Sequence, residues 1–178
     1  HMLKDKVCIV TGAASGIGLA IAEMFAAEAA KGVMVDSNED LLKAHCERLH
    51  ANYVVADLSK RADNKKVVDE AVKFYGTVDI LVNVAGIQTV SPIEDFPEDK
   101  WDFMINLMLT SPFLLTRYSW PFMKANKWGR VVNLNSIHGL VASEFKSAYV
   151  SAKHGLSGLT KTAALEGADL LRVEVGVV

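Results

Sequence analysis

The feature that most constrains the fold is a strict alternation of short apolar runs with longer amphipathic segments. The runs are rich in Val, Ile and Leu and show no polar alternation, as expected for parallel strands covered on both faces. They occupy residues 6–10, 32–36, 52–57, 78–86, 129–136 and 172–178. Helices are predicted between them, at about 17–30, 38–50, 60–75, 98–126 and 148–168. This order predicts an α/β domain with a doubly wound, Rossmann-like parallel sheet.

Length and composition fit one globular domain. The 178 residues suffice for a buried core, and 51% hydrophobic with 22% charged residues is not a disordered composition. A net charge of −2 gives no reason to propose nucleic acid or a membrane as partner. Cys8 and Cys46 have no metal or redox motif, and no apolar run reaches the length of a membrane span, so we expect a reduced, cytoplasmic protein. We expect 1–178 to form a single domain, with His1 and Met2 as the remnant of an expression tag.

Glycines follow the first predicted strand, in the sequence TGAASGIG at 11–18. Ligands of doubly wound sheets bind beyond the carboxyl ends of the strands, which is where this turn falls. Gly12, Gly16 and Gly18 allow a tight turn and a close approach of a pyrophosphate to the backbone, at a helix N-terminus with free N–H groups. A mere tight turn is the alternative interpretation, but the strand–turn–helix context favours a dinucleotide site.

Asp36 ends the second predicted strand, where a carboxylate can accept hydrogen bonds from both ribose hydroxyls of a dinucleotide. A solvated aspartate at a strand end is the alternative. Neither the glycine-rich turn nor Ser37 supplies an arginine that could receive a 2′-phosphate. The sequence therefore favours NAD over NADP as the cofactor.

Four motifs together resemble the short-chain dehydrogenase/reductase family: TGxxxGxG at 11–18, NVAG at 83–86, Ser136, and Tyr149-x-x-x-Lys153. The resemblance covers about residues 4–167 and is specific in combination. It implies that Ser136, Tyr149 and Lys153 are catalytic and that NAD is the cofactor. The residues that it implies in cofactor binding are Gly12, Ser15, Gly16, Ile17, Gly18, Asp36, Asp57, Leu58, Asn83, Ala85, Gly86, Tyr149 and Lys153.

The chemistry of the last motif supports that role. Tyr149 and Lys153 are four residues apart and share one helix face. A free tyrosine has a pKa of about 10, and an ammonium beside it favours the phenolate. Tyr149 could then take a proton from an alcohol, or give one to a carbonyl, while hydride moves to or from a nicotinamide. Ser136 would hold the same oxygen. A buried tyrosine beside a snorkelling lysine is the alternative interpretation.

Three further residues narrow the substrate. Gln88, His138 and Lys146 stand in AGIQ, SIHG and KSAY, a pattern similar to the bacterial-type D-3-hydroxybutyrate dehydrogenases of that family. The resemblance implies that these three residues bind the substrate carboxylate, while Ser136 and Tyr149 bind the alcohol oxygen. It further implies that the reaction is the oxidation of D-3-hydroxybutyrate to acetoacetate, a step of ketone body metabolism. An amide, an imidazole and an ammonium can all donate to a small anion. Each could instead be a solvated loop or surface residue, and the substrate would then be another secondary alcohol or a sugar.

Met108 departs from the family pattern. Relatives usually have asparagine seven residues after the tryptophan that is Trp101 here, whereas Asn106 stands two residues before that position. The two positions are about 200° apart around a helix. Either a local bulge returns Asn106 to the site, or the relay associated with that asparagine is compromised, because a thioether cannot donate a hydrogen bond. A catalytically impaired NAD-binding module is therefore an alternative to an active enzyme.

Two further departures concern the ends of elements. Relatives continue after RVEVGVV into a Pro-Gly turn, a substrate lid and a seventh strand, so we expect the C-terminal part of the domain to be absent from these 178 residues. Ala29 replaces the glycine that commonly ends the first helix, and the turn is expected to shift toward Gly32.

The assembly and partners are expected from the same resemblance. The helices predicted at about 98–126 and 148–168 carry apolar residues over much of their surface, and in relatives they form contacts between the subunits of a homotetramer. The expected partner is a small hydroxy acid rather than nucleic acid or membrane. The remaining histidines lack ligand spacing and the carboxylates do not pair near the motifs, so no metal site is predicted.

Overall fold

The computed structural model describes residues 2–168, and the backbone of 172–177. Its strands are β1 (Val7–Thr11), β2 (Lys31–Asp36), β3 (Asn52–Val55), β4 (Ile80–Asn83), β5 (Arg130–Asn135) and β6 (Arg172–Val177). Its helices are α1 (Gly16–Ala27), α2 (Glu39–Leu49), α3 (Arg61–Tyr75), α4 (Glu98–Ile105), α5 (Ser111–Asn126) and α6 (Ser147–Glu166). The strands form one parallel sheet in the order β3-β2-β1-β4-β5-β6, so the predicted doubly wound α/β fold is confirmed.

Two apolar cores lie on opposite faces of the sheet. Successive residues of a strand point to opposite faces, and in β1 Ile9 packs into the core that includes Val67 of α3 and Leu115 of α5. Val10 packs into the core that includes Leu42 and Cys46 of α2. All residues of β1 are buried. Burial on both faces explains why the apolar runs of the sequence do not alternate with polar residues.

The strand order reverses beside β1, which pairs with β2 on one side and with β4 on the other. The chain leaves β1 through α1 to reach β2, and later returns through α3 to β4 on the other side. Connections that diverge in this way leave a crevice at the carboxyl ends of the two strands. The motifs at 11–18 and 83–86 follow these two ends.

The long helix predicted at 98–126 contains a π-helical turn, Asn106–Thr110, between α4 and α5. Such a turn inserts one extra residue and rotates the side chains that follow. The bulge considered from the sequence is therefore present, but the side chains of α4 and this turn that line the neighbouring cleft are Phe103 and Leu107. Met108 is buried, and its Sδ would lie 3.2 Å from a Cβ placed on Gly86.

The expected shift of the turn after α1 is not observed. The helix ends at Ala27 and the turn does not shift toward Gly32, which lies within β2. Ala29 itself adopts the left-handed conformation, with φ of 59°. An L-residue other than glycine is disfavoured there by about 1 kcal/mol, so this turn is mildly strained.

Candidate active site

A cleft of about 570 Å³ lies at the carboxyl ends of the central strands, beside α6. Most residues predicted to bind the cofactor line it. They are Gly12, Ser15, Ile17, Gly18, Asp36, Asp57, Leu58, Ala85, Gly86, Tyr149 and Lys153, and the predicted substrate residue Gln88 lines it too. Five other predicted site residues lie outside this lining: Gly16, Asn83, Ser136, His138 and Lys146.

The glycine-rich turn brings two backbone segments closer than a side chain would permit. A Cβ on Gly18 would overlap the carbonyl oxygen of Gly12. Gly12 has a φ of 61°, and a Cβ there would lie 3.1 Å from the backbone of Ala85. Ser15 precedes α1 without capping it through its side chain, which leaves the N–H groups of the first turn for a ligand. This cradle fits the pyrophosphate of a dinucleotide.

Asp36 is held at the end of β2 by two backbone donors. Ala14 N–H donates to Oδ2 over 3.1 Å, and Asn38 N–H donates to Oδ1 over 3.0 Å. The side chain is half-buried and lines the cleft. Because each carboxylate oxygen has a further lone pair, Asp36 can also accept hydrogen bonds from a ligand in the cleft.

Asp57 lines the cleft in the segment that follows β3. Its Oδ1 accepts hydrogen bonds from the backbone N–H and the hydroxyl of Ser59, over 3.0 and 2.6 Å. Its own N–H donates to Asp63 Oδ2 over 2.8 Å. The carboxylate and the neighbouring Leu58 are therefore held in a defined place on the cleft wall.

Thr11 joins the two cofactor motifs and was not among the predicted site residues. Its Oγ1 accepts hydrogen bonds from the backbone N–H groups of Val84 and Ala85, over 2.9 and 3.1 Å. The hydroxyl therefore fixes the loop after β4 to the end of β1. Its place directly before Gly12 was the available signal, but its partners lie more than seventy residues away in the chain.

Asn83 lies beneath the cleft rather than in its wall. It is 5% exposed, and its Nδ2 donates to Asn133 Oδ1 over 2.8 Å. Its Oδ1 is buried without a partner among the described residues. The structure thus places Asn83 where it links β4 to β5 under the loop that carries Ala85 and Gly86.

Tyr149 and Lys153 are brought together on the face of α6 that borders the cleft. Lys153 Nζ lies 5.6 Å from the centroid of the Tyr149 ring and donates a hydrogen bond to Leu134 O over 3.0 Å. Lys153 is only 6% exposed. This burial disfavours the charged form and lowers the pKa of the ammonium from 10.5 to about 8. At neutral pH a positive charge therefore lies beside the tyrosine.

Ser136 and His138 lie in a chain of hydrogen bonds at the end of β5. Ser136 Oγ accepts from the His138 backbone N–H over 3.2 Å and lies 3.3 Å from Nδ1 of the same residue. His138 Nε2 lies 2.7 Å from Ser143 Oγ. The His138 ring packs edge-on against Tyr149, with 5.8 Å between ring centroids. Both imidazole nitrogens therefore contact serine hydroxyls, and a bond from His138 to a carboxylate would replace one of these contacts.

Ser143 is a second residue that the sequence did not reveal. It lies in an exposed loop before α6, five residues after His138. Only the folded loop brings its hydroxyl to the imidazole, and no motif in the sequence marks that contact.

Gln88 and Lys146 come from two loops that are joined through their backbones. Ser91 N–H donates to Phe145 O over 2.8 Å, which ties the loop after β4 to the loop before α6. Gln88 is exposed, and its Oε1 accepts a hydrogen bond from Thr89 N–H over 3.1 Å. Lys146 is half-buried and directly precedes α6. The arrangement leaves the Gln88 amide N–H₂ free to orient toward an anion.

Within 2–168, no three His, Cys, Asp or Glu side chains gather in a way that could hold a metal ion. Across the same part of the chain, no helix combines the length and the apolar character that a membrane crossing requires.

Comparison with known proteins agrees with the fold and identifies the family. A family model described as short chain dehydrogenase matches residues 6–178. The D-beta-hydroxybutyrate dehydrogenase of Cupriavidus necator is 48% identical over 174 residues, which cover 94% of this chain and 67% of that protein. The enzyme of the same name from Rhizobium meliloti is 44% identical over 171 residues, which cover 92% of this chain and 66% of that protein. The chain thus spans about two thirds of the length of these relatives.

A solved structure supports the same assignment. The crystal structure of a metagenomic short-chain oxidoreductase in complex with NADP superposes with a TM-score of 0.95 at 30% identity, and the match covers 99% of this chain and 83% of that one. Fold, motifs and relatives therefore lead to one conclusion: the chain belongs to the short-chain dehydrogenase family, whose oxidoreductases use a nicotinamide cofactor.

Proposed function

We propose that the chain carries the cofactor site and the catalytic residues of an NAD-dependent dehydrogenase that converts D-3-hydroxybutyrate to acetoacetate and back. The observation that carries this proposal is the placement of Tyr149 and Lys153 in the same cleft as the glycine-rich turn and Asp36. The 44–48% identity to two enzymes named for this reaction supports the choice of substrate.

The chain's own residues would manage the proton and the substrate oxygen. A bound nicotinamide supplies the hydride acceptor for oxidation and the hydride donor for reduction. Tyr149 would take the alcohol proton on its phenolate oxygen, and the Lys153 ammonium beside the ring would stabilise that phenolate by charge. Ser136 would donate a hydrogen bond to the same substrate oxygen and hold it in place during the proton transfer.

Asp36 supports NAD over NADP. Its carboxylate lines the cleft and is fixed by two backbone N–H groups, so it is oriented to accept ribose hydroxyls. A 2′-phosphate at that place would meet a negative charge, and none of the residues that line the described cleft is an arginine. One structural relative is a complex with NADP, and another relative is named an NAD-dependent glycerol dehydrogenase, so the choice in this chain would depend on Asp36 itself.

Gln88, His138 and Lys146 would hold the substrate carboxylate beside Tyr149, where Gln88 lines the cleft and the other two lie outside its lining. Lys146 would contribute an ammonium and Gln88 an amide donor, and the loops that carry them are tied together at Ser91 and Phe145. His138 would contribute either directly, by exchanging Ser143 for the carboxylate, or by positioning Ser136.

A second candidate keeps the catalysis but changes the substrate to an uncharged secondary alcohol. The observation that favours it is the engagement of both His138 nitrogens by serine hydroxyls, which removes one of the three carboxylate donors.

The experiment that separates the two candidates compares D-3-hydroxybutyrate with its methyl ester, which has the same alcohol but no charge. With NAD present, we expect kcat/KM to be at least about 10-fold higher for the acid, because a charge-assisted contact contributes on the order of 1.5–3 kcal/mol. Lys146→Met should narrow this ratio, whereas Lys124→Met, on the exposed end of α5, should not. Equal turnover of acid and ester by the wild-type chain would exclude the carboxylate site.

We also propose that the protein assembles as a homotetramer through α4, α5 and α6. Large apolar side chains on these helices are exposed in the single chain: Trp101 by 38%, Phe113 by 45% and Leu165 by 81%. Exposed side chains of this size favour burial against another subunit. Sedimentation should show a tetramer, and Phe113→Glu should shift it toward smaller species. A wild-type monomer would contradict the proposal.

A further inference from the structure

The end of β5 is joined to α6 by a buried side-chain contact that no motif predicted. Asn135, the last residue of β5, is 4% exposed. Its Nδ2 donates to Ser157 Oγ over 2.6 Å, and its Oδ1 accepts from the backbone N–H of Ser136 over 2.9 Å. One amide side chain therefore holds both the catalytic serine and the helix of the catalytic tyrosine.

Ser157 lies four residues after Lys153 and eight after Tyr149, which places all three along one face of α6. Ser157 Oγ lies 3.2 Å from Lys153 O and 3.3 Å from Gly139 O. Gly139 is the last residue of the short helical turn that follows Ser136. A Cβ on Gly139 would lie 2.7 Å from the side chain of Asn135 and 2.8 Å from Ser157 Oγ. The contact is thus packed tightly against the turn that follows the catalytic serine.

We propose that Asn135 and Ser157 are positioning residues, which fix Ser136 at the distance from Tyr149 and Lys153 that proton transfer requires. This inference rests on the proposed function, because it assumes that Ser136 and Tyr149 act on one substrate oxygen. The catalytic groups come from two different elements, a strand end and a helix, and a small displacement between them lowers the rate steeply.

The same strand and helix offer a matched control. Asn133 Nδ2 donates to Thr160 Oγ1 over 2.9 Å, and both residues are 1–2% exposed. This contact also joins β5 to α6 through a buried asparagine, but it does not touch Ser136. Its loss should weaken the strand–helix packing without moving the catalytic serine.

The test compares Ser157→Ala, Ser157→Thr and Thr160→Val in the full chain. Ser157→Ala should lower kcat about 10-fold while leaving KM for NAD unchanged, and it should speed hydrogen exchange of the Ser136 amide measured by NMR. Thr160→Val should lower Tm as much as Ser157→Ala does, because each variant loses one buried hydrogen bond. It should nevertheless keep kcat within about twofold of wild type and leave hydrogen exchange of the Ser136 amide unchanged. Ser157→Thr, which retains the hydroxyl, should keep kcat and the hydrogen exchange of the Ser136 amide at their wild-type values.

Equal effects of Ser157→Ala and Thr160→Val on kcat and on the Ser136 amide would overturn the inference, because they would show a merely structural role. The exchange measurement does not depend on turnover. If the wild-type chain did not oxidise D-3-hydroxybutyrate, the proposed function would fail, while the Ser136 amide would still decide whether Ser157 fixes that residue.

Discussion

The two sides of the cleft are built in different ways. On the cofactor side the backbone forms the wall: Gly18 lies too close to the main chain of Gly12 to carry a side chain, and Gly12 combines a positive φ with a close approach to the backbone of Ala85. On the other side, side-chain hydrogen bonds hold the residues that are proposed to react, as Asn135 Oδ1 accepts a hydrogen bond from the backbone N–H of Ser136. The cofactor side therefore depends on a few glycines whose replacement would displace the backbone. The other side depends on several side-chain hydrogen bonds, each of which can be removed separately.

The largest effect is expected at the reacting group itself. Tyr149→Phe removes the phenolic oxygen that is proposed to exchange the substrate proton, so kcat should fall by about 10³-fold, within the range for loss of a general acid–base. NADH affinity should change little, because the variant keeps the aromatic ring and leaves the glycine-rich turn and Asp36 unaltered. Tyr53→Phe, on β3, serves as the control and should keep full activity. Loss of NADH binding in Tyr149→Phe would contradict the separation of the two sides.

A single substitution in the glycine-rich turn should strongly weaken cofactor binding. In Gly18→Ala the added methyl overlaps the carbonyl oxygen of Gly12, so the turn must open. We expect NADH affinity to fall at least about 100-fold, which corresponds to on the order of 3 kcal/mol, with a lower Tm. Gly158→Ala makes the same change on α6, where nothing lies within 4 Å, and should leave binding intact. Wild-type affinity in Gly18→Ala would refute the backbone-wall description.

The catalytic side should show a pH signature of the buried Lys153. Its pKa is lowered to about 8 in the folded chain, against 10.5 when exposed. Between these values the unfolded chain binds the extra proton, so Lys153 by itself should make the free energy of unfolding rise with pH, by up to about 3 kcal/mol, against the fall that the raised pKa values of Cys8 and Cys46 cause above pH 9 in wild type and variant alike. Lys153→Met should remove that rise in denaturant titrations from pH 7 to 10.5. An unchanged pH slope in the variant would show that the ammonium is not disfavoured by burial.

Asp36 tests whether one side chain on the backbone-built side sets cofactor choice. Asp36→Ala should lower kcat/KM for NAD about 10- to 100-fold, as expected for hydrogen bonds to a charged group, and should improve the use of NADP. Asp40→Ala, an exposed acid on α2, should change neither. Steady-state kinetics with both cofactors give the answer. An unchanged NAD/NADP ratio in Asp36→Ala would remove the basis for proposing NAD.

The smallest effect is expected where the backbone is strained away from the site. Ala29→Gly should raise the free energy of unfolding by about 0.5–1 kcal/mol, because glycine adopts a φ of 59° without a Cβ clash. Ala27→Gly, in the last turn of α1, should lower it by a similar amount. Neither change should affect kcat. Destabilisation by Ala29→Gly would show that the turn is not strained.

The same contrast explains what could be predicted from the sequence. The glycine-rich turn and Asp36 lie within 26 residues of one another and sit at strand ends, so periodicity and local motifs were enough to find them. Ser143 and Ser157 were missed because serines are common in loops and on helices, and only tertiary contacts give these two a partner. The sequence suggested a local bulge near Met108. It could not show which side chains the bulge turns toward the cleft, because that depends on packing against α6 and Gly86.

The most direct test of the central claim is the reduction of NAD by each enantiomer of 3-hydroxybutyrate, followed by nicotinamide absorbance in the wild-type chain and in Tyr149→Phe. The proposed function predicts NADH formation with the D-enantiomer, little with the L-enantiomer, and an about 10³-fold lower rate with the variant although it still binds NADH. Equal rates with both enantiomers, or undiminished turnover by Tyr149→Phe, would contradict it.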